Sequence, residues 1–330
     1  MRVMVMGAGA IGGFVAGAWR HAGADVALLG RPRQAVAHAA GVTLADRTDT
    51  AGWTAQVPVP FHDDPAVLAD ADLVVLAVKC TAIDTAAAEI ADHARPGVPI
   101  LSLLNGPRAA EALSQRLPDN PVLPGMVAFN VVGEDARWTK TSLGHVTALR
   151  HAALAPLPSD GPAAVEQVAD MEPVLWGKLL LNLNNAVNAL SALGLRDELS
   201  RKGYRRVLAA AMREALEACE AAGIRPAKVG AMAPRLIPSF LSMPDILFRP
   251  IGLRLQKIDP AARSSMAEDF AAGKPTEVDW LNGAVVDLAQ SQGIEAPVNA
   301  RLTALVHDAE EGGRRDWPAP DLVRAVLRGR

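Results

Sequence analysis

Seven residues near the start, Gly7-Ala8-Gly9-Ala10-Ile11-Gly12-Gly13, constrain this chain most. Arg2–Met6 before them is a short apolar run that reads as a strand, and residues 14–19 after them read as a helix. A glycine-x-glycine-x-x-glycine run alone is common; between a strand and a helix it is the turn of a dinucleotide-binding βαβ unit. Gly7 makes the tight turn, Gly9 lets backbone approach a pyrophosphate, and Gly12 lets the helix pack on the strand. Ala10 and Ile11 then open the helix whose N–H groups and dipole hold phosphates. A signal peptide is the competing reading of the apolar start. Five glycines by position 17 make a poor core for one.

At 330 residues the chain has room for two domains. Half of it is apolar with few aromatics, the composition of a helix-rich α/β protein. A net charge of −3 without any basic run leaves no footprint for nucleic acid. The two cysteines, Cys80 and Cys219, match no metal or disulfide spacing, which fits the cytoplasm. No run of about eighteen apolar residues follows the loop, so no membrane span is expected.

A second strand is expected at residues 26–29. An acidic residue at its end binds the adenosine ribose in enzymes that prefer NAD. Here Gly30, Arg31 and Arg33 stand there, and guanidinium groups favour a 2′-phosphate. NADPH (as NADPH/NADP+) is therefore expected over NADH, with a solvated basic loop as the alternative. A helix is expected at 34–40, and strands at 41–44 and 56–60. Residues 72–78 and 99–104 are continuous apolar runs, the mark of strands buried on both faces. Lys79 and Asn105 lie just past them, where open α/β sheets bind ligands. Further strands are expected at 122–132 and 144–149, the second antiparallel, and a last helix at 163–169. The domain boundary falls near residue 170.

From 171 onward the pattern is helical. In a helix over 172–193, Lys178, Asn182 and Asn185 share one face at i, i+4 and i+7. Such a stripe among leucines is either a solvated face or a site. As a site it offers a lysine whose apolar walls lower its pKa into acid–base range. Residues 201–222 read as an amphipathic helix, and 237–251 as an irregular, proline-punctuated stretch that is either a dimer face or internal core. Arg263-Ser264-Ser265-Met266 opens another helix. Thr276 and Asp279 form a capping-box pattern for the next. Glu277 then sits in the first turn, where the dipole favours a carboxylate in any case. Helices at 294–309 and 318–327 close the chain.

These stretches together resemble the ketopantoate reductase (2-dehydropantoate 2-reductase) family. The resemblance rests on Gly7 to Gly13, Val78-Lys79, Asn105-Gly106, Leu175-Trp176-Gly177-Lys178 with Asn182, Ser264-Ser265-Met266, and residues 275–283. It implies an α/β N-terminal Rossmann-type domain over 1–170 that binds NADPH. An all-α C-terminal domain of 6-phosphogluconate-dehydrogenase-like architecture follows over 171–330 and carries substrate and catalysis. It implies Lys178 as general acid, Glu277 as holder of the substrate hydroxyl and support for that lysine, and Arg31 as the group favouring NADPH. Lys79 and Asn105 match positions at the nicotinamide ribose; Asn182 and Ser265 match substrate contacts, with Asn105 and Asn185 beside them. Some members carry an asparagine where this chain has Ala186, and Asn185 or Asn188 could replace it. Residues 234–258 are longer and more apolar than in compact members.

The expected reaction is reduction of 2-dehydropantoate to pantoate for pantothenate and coenzyme A synthesis, with a small 2-oxo acid as partner and no metal, nucleic acid or membrane. Such a site is expected between the two domains, closure bringing Lys178 and Glu277 over the cofactor. A homodimer is compatible with the sequence. The competing readings are a reductase of another 2-oxo acid on the same scaffold, a non-catalytic NADPH-binding sensor, and a structural homo-oligomer with a vestigial site.

Overall fold

The computed structural model describes residues 1–48, 52–230, 232–256 and 262–327, and divides into two compact units, Met1–Met171 and Glu172–Arg330. In the first unit the strands are β1 (Arg2–Met6), β2 (Asp25–Leu29), β3 (Val42–Asp46), β4 (Trp53–Val57), β5 (Phe61–His62), β6 (Leu73–Leu76), β7 (Ile100–Ser102), β8 (Val122–Val127), β9 (Val131–Glu134), β10 (Arg137–Lys140), β11 (Val146–Leu149) and β12 (Val165–Val168). Its helices are α1 (Ala10–His21), α2 (Ala35–His38), α3 (Ile83–His93) and α4 (Ala109–Arg116). Among the described residues one sheet runs in the order β12-β11-β8-β7-β6-β1-β2-β5. Its neighbours are parallel except β8 and β11, the antiparallel pair the sequence led us to expect.

The register aligns the carboxyl ends of the central strands. Gly7 N–H donates to Leu29 O (2.8 Å), Ala77 N–H to Met6 O (2.9 Å) and Leu103 N–H to Leu76 O (2.9 Å). The chain leaves β1 towards β2 on one side and returns to β6 on the other. That reversal makes the carboxyl edge of β1 and β6 the switch point where such sheets bind ligands.

A second sheet, β4-β3-β10-β9, was not foreseen. It packs on the far side of α1, which is why that helix is buried nearly all round from Gly12 to Trp19. Gly13 and Gly17, one turn apart, face it. A Cβ at Gly13 would lie 2.2 Å from the Trp138 indole nitrogen, and one at Gly17 2.5 Å from Val42. β10 was missed, and the expected strand over 122–132 is two strands, β8 and β9.

The helix expected at 163–169 is strand β12 instead. The carbonyls and amides there are committed elsewhere: Trp19 Nε1 donates to Ala163 O (2.7 Å), Val146 N–H to Ala164 O and Arg150 N–H to Val168 O. With sheet neighbours available, the β-branched ends of Val-Glu-Gln-Val favour pairing with β11. The helix expected at 34–40 is shorter, a 3₁₀ turn at Pro32–Gln34 followed by α2.

The second unit has helices and no strand among its described residues. It comprises α5 (Glu172–Asn182), α6 (Asn184–Ser191), α7 (Leu195–Leu199), α8 (Lys202–Ala221), α9 (Ile237–Leu241), α10 (Asp245–Gln256), α11 (Ser265–Ala271), α12 (Ala284–Ser291), α13 (Pro297–Glu310) and α14 (Ala319–Leu327). The single helix expected at 172–193 divides at Leu183. The stretch at 237–251 is not irregular: it holds α9 and most of α10, with Pro250 inside the latter. Leu241 and Phe248 are buried while Ile246 and Leu247 stay exposed, so that stretch is part core and part surface. Residues 257 and 258 of the long apolar stretch lie outside the described residues.

Helix α8 organises this core. Its Arg205 is fully buried, and the guanidinium donates to the carbonyls of Leu199, Leu241 and Met243 and to Asp245, 2.8–3.0 Å away, against the Phe248 ring. A buried charge is tolerated when it is paired and most of its donors are satisfied, and here four of the guanidinium's five N–H groups are. Arg205 thereby fixes α9 and α10 to α8.

Candidate active site

In the first unit the glycine loop has the local geometry its residues predict. Gly7 takes φ +116°, and a Cβ there would lie 2.6 Å from Ala77 O. A Cβ at Gly12 would lie 1.9 Å from Gly7 O, so helix and loop can meet only at glycine. Gly9 is exposed, caps α1 without a side chain, and a Cβ on it would meet nothing within 4 Å. No acidic residue stands in the first turn of α1. An open backbone edge, a helix N-terminus starting at Ala10 and Ile11, and no competing carboxylate suit the diphosphate of a dinucleotide.

Gly30 has its own reason: a Cβ there would press on Ala8 Cβ (2.9 Å) and the Phe61 ring (2.7 Å), leaving no room for an acidic side chain without rearrangement. The loop after β2 is stapled to the glycine loop by Gln34. Its Nε2 donates to Ala8 O (2.9 Å), and its Oε1 accepts from Arg31 N–H (3.0 Å). This side chain was not singled out from the sequence. Arg31 and Arg33 are exposed, and Arg31 also pairs with Glu89 of α3 at 3.3 Å. An exposed pair of that kind is worth about 0–1 kcal/mol, so a phosphate could displace it at little cost.

Lys79 is exposed at the start of the turn before α3, and Asn105 is partly buried just past β7. Cys80, which the sequence gave no role, joins those two loops: its Sγ donates to Asn105 O at 3.1 Å. Thus Gly7, Gly9, Ala10, Ile11, Gly12, Arg31, Lys79 and Asn105 all stand on loops or helix starts at the carboxyl edge of this sheet.

In the second unit Lys178 lies on α5. A Cβ at Gly177 beside it would fall 2.2 Å from Ala227 O, so glycine admits the 225–229 segment against this helix. Lys178 is partly exposed, yet burial of its ammonium end disfavours the charged form and holds its pKa below the ordinary lysine value. Asn182 ends α5, and Asn185 is in the first turn of α6; both are partly exposed.

The two candidates to replace the asparagine missing at Ala186 differ sharply. Asn188 is fully buried: its amide donates to Leu193 O (3.0 Å) and Glu198 (2.9 Å), while its Oδ1 accepts from Ser264 N–H (2.9 Å). Those bonds commit it to structure. Asn185 remains partly exposed, and its carbonyl accepts from Ser264 Oγ (3.3 Å). Ser264 also caps α11 through Ala267 N–H, which presents Ser265 as the first residue of that helix.

Glu277 is buried at 4% exposure. The capping box expected around it does not form. Thr276 Oγ1 accepts only a long bond from Val278 N–H (3.4 Å), Thr276 N–H is taken by Glu310 Oε1 (2.7 Å), and Asp279 turns to His307 (2.9 Å). Asp279–Gly283 is a π-turn leading into α12. A carboxylate from a neighbouring helix outcompetes the shorter Asp side chain for the cap. Among the described residues, no group of three or more His, Cys, Asp or Glu side chains is arranged to hold a metal ion.

Residues 3–149 match the family model "Ketopantoate reductase PanE/ApbA", and residues 170–310 match "Ketopantoate reductase PanE/ApbA C terminal". The chain is 29% identical to a 2-dehydropantoate 2-reductase of Halobacterium salinarum, covering 95% of this chain and all of that protein. A crystal structure of a PanE/ApbA family ketopantoate reductase from Ralstonia eutropha superposes with a TM-score of 0.77 at 27% identity, covering 94% of this chain and 99% of the other. D-mandelate dehydrogenase with NADH and anilino(oxo)acetate gives the same TM-score over 94% of this chain and 99% of its own, but at 16% identity it shares the fold alone. The chain belongs to the ketopantoate reductase family.

Proposed function

We propose that this chain reduces 2-dehydropantoate to pantoate with NADPH, in the cytoplasm, as a step towards pantothenate and coenzyme A. The observation that carries the reading is Lys178: it stands at the family's general-acid position on α5, and burial of its ammonium end lowers its pKa. When bound, NADPH supplies the hydride that reduces the substrate's carbonyl carbon. The glycine loop and the start of α1 bind its diphosphate, Arg31 its 2′-phosphate, and Lys79 and Asn105 orient the nicotinamide ribose. Lys178 stabilises the negative charge growing on the carbonyl oxygen and then donates its proton there. A lowered pKa makes it a stronger acid for that transfer. Buried Glu277 accepts a hydrogen bond from the substrate hydroxyl. Asn182, Asn185 and Ser265 offer donors to the substrate's carboxylate.

The test follows NADPH absorbance with the purified protein, ketopantoate and a panel of other 2-oxo acids, and repeats the series with NADH. Oxidation is expected fastest with ketopantoate and NADPH. Faster turnover of another acid would replace the substrate and keep the chemistry. Cofactor binding without any oxidation would replace the enzyme with a sensor.

A further inference from the structure

Glu277 is held from both sides by one histidine. One residue before it, Thr276 N–H donates to Glu310 Oε1 at 2.7 Å; two residues after it, Asp279 Oδ1 meets His307 Nε2 at 2.9 Å. The circuit closes on the imidazole, whose Nδ1 lies 3.0 Å from Glu310 Oε2. His307 and Glu310 are three residues apart on α13, one above the other on a single face. That helix is itself pinned. Buried Glu214 of α8 accepts from Val298 N–H (2.9 Å) and Asn299 N–H (3.0 Å), and Asn282 of the π-turn donates to Asn299 Oδ1 (3.0 Å).

Ionised carboxylates only accept hydrogen bonds. An imidazole with a carboxylate oxygen within 3.0 Å of each nitrogen must therefore donate from both, and it can do so only as the imidazolium. Neutral histidine would leave one nitrogen lone pair facing a carboxylate, and one flank of Glu277 would loosen. We propose that His307 is a positioning residue for this enzyme: as an imidazolium it clamps the Asp279 and Glu310 carboxylates and so fixes the backbone that carries Glu277. The inference rests on the reading of Glu277 as the holder of the substrate hydroxyl.

The electrostatics agree. Burial pushes His307 down, but its bonds to Asp279 and Glu310 and their charges outweigh that and hold it above the ordinary histidine value. For Glu310, burial pushes upward and is outweighed by hydrogen bonds from Thr276 and His307, leaving it below the usual carboxylate range. Several charged groups on elements packed against α13 are engaged elsewhere. Glu214 caps its N-terminus, Arg205 serves α9 and α10, and Asp321 of α14 pairs with Arg314 and Arg324. Asp287 stands on α12, Arg301 donates to Ala325 O, and Asp308 and Glu311 are chain neighbours of the clamp. A raised folded pKa means the clamp is complete below about pH 6.5 and is lost as pH rises through the folded value.

The test measures ketopantoate reduction from about pH 5.5 to about pH 9 for the wild type, His307→Gln and Glu277→Gln, with thermal melts of each. For the wild type, the KM for ketopantoate is expected to rise as His307 deprotonates. His307→Gln should raise KM about tenfold at the acid end, remove that rise, and change kcat little. Titration of Lys178 would act on kcat instead, which separates the two. A His307→Gln enzyme that keeps the wild-type KM and its pH dependence overturns the clamp while Glu277→Gln still impairs reduction. Normal reduction by Glu277→Gln overturns the reading beneath it. Should His307→Gln not fold, an NMR titration of His307 in the intact protein decides: a pKa above about 6.5 that falls in Asp279→Asn supports the clamp, and one at or below it overturns the clamp.

Discussion

At the scale of single residues, the chemistry follows from what each neighbourhood permits. Arg31 is exposed and held only by a weak surface pair, while Gln34 fixes its backbone. That is a guanidinium kept in place and available to an anion. Arg31→Ala should therefore raise the KM for NADPH about 10- to 100-fold, the worth of one or two charge-assisted bonds, and hardly change that for NADH. Equal effects on both cofactors in steady-state kinetics would remove Arg31 from phosphate recognition. Gly7, Gly9 and Gly12 were legible in sequence because much of their requirement is local: a left-handed turn at Gly7, an open edge at Gly9 and the close approach of Gly12 to Gly7 O; the crowding of Gly7 by Ala77 was not. The roles of Gln34 and Cys80 were not, since each depends on which loops the sheet brings alongside.

At the scale of elements, the errors share one cause. β12 was taken for a helix, and the second sheet was missed, because a strand is stabilised by its partners and a four-residue window does not contain them. The paired glycines at 13 and 17 were a usable sign that something approaches α1 closely. Glu198 of α7, in the run Arg196-Asp197-Glu198, is fully buried against α6. It accepts from Asn188 (2.9 Å) and Asn184 (3.3 Å), while its Oε1 and Asn184 Oδ1 are left without partners. Burial pushes its pKa up to about 8, against smaller opposing effects of those two amides. The folded protein thus favours the protonated carboxyl, which adds the donor this group lacks. Its contribution is full below about pH 4.5 and is lost as pH rises towards 8. Glu198→Gln should flatten the fall in melting temperature over that range and be the more stable protein at its alkaline end, by on the order of a few kcal/mol. Thermal melts across pH read this; an unchanged slope would place the titration elsewhere.

At the scale of the whole molecule, the change from strand to helix near residue 170 was readable because the hydrophobic period itself changes there. The division of labour was not readable from periodicity; it came from an ordered set of short motifs along the chain. The first unit offers an open glycine edge, exposed arginines and two polar loop ends at the carboxyl side of a parallel sheet. The second offers a desolvated lysine, a buried carboxylate and half-exposed amides. The most direct measurement is single-turnover NADPH oxidation by Lys178→Ala with saturating ketopantoate, beside NADPH binding by fluorescence. Loss of one preorganised donor at the developing oxyanion costs about 100- to 1,000-fold in rate. We expect at least that loss with cofactor affinity unchanged; turnover near the wild-type rate would contradict the assignment of Lys178 as the acid.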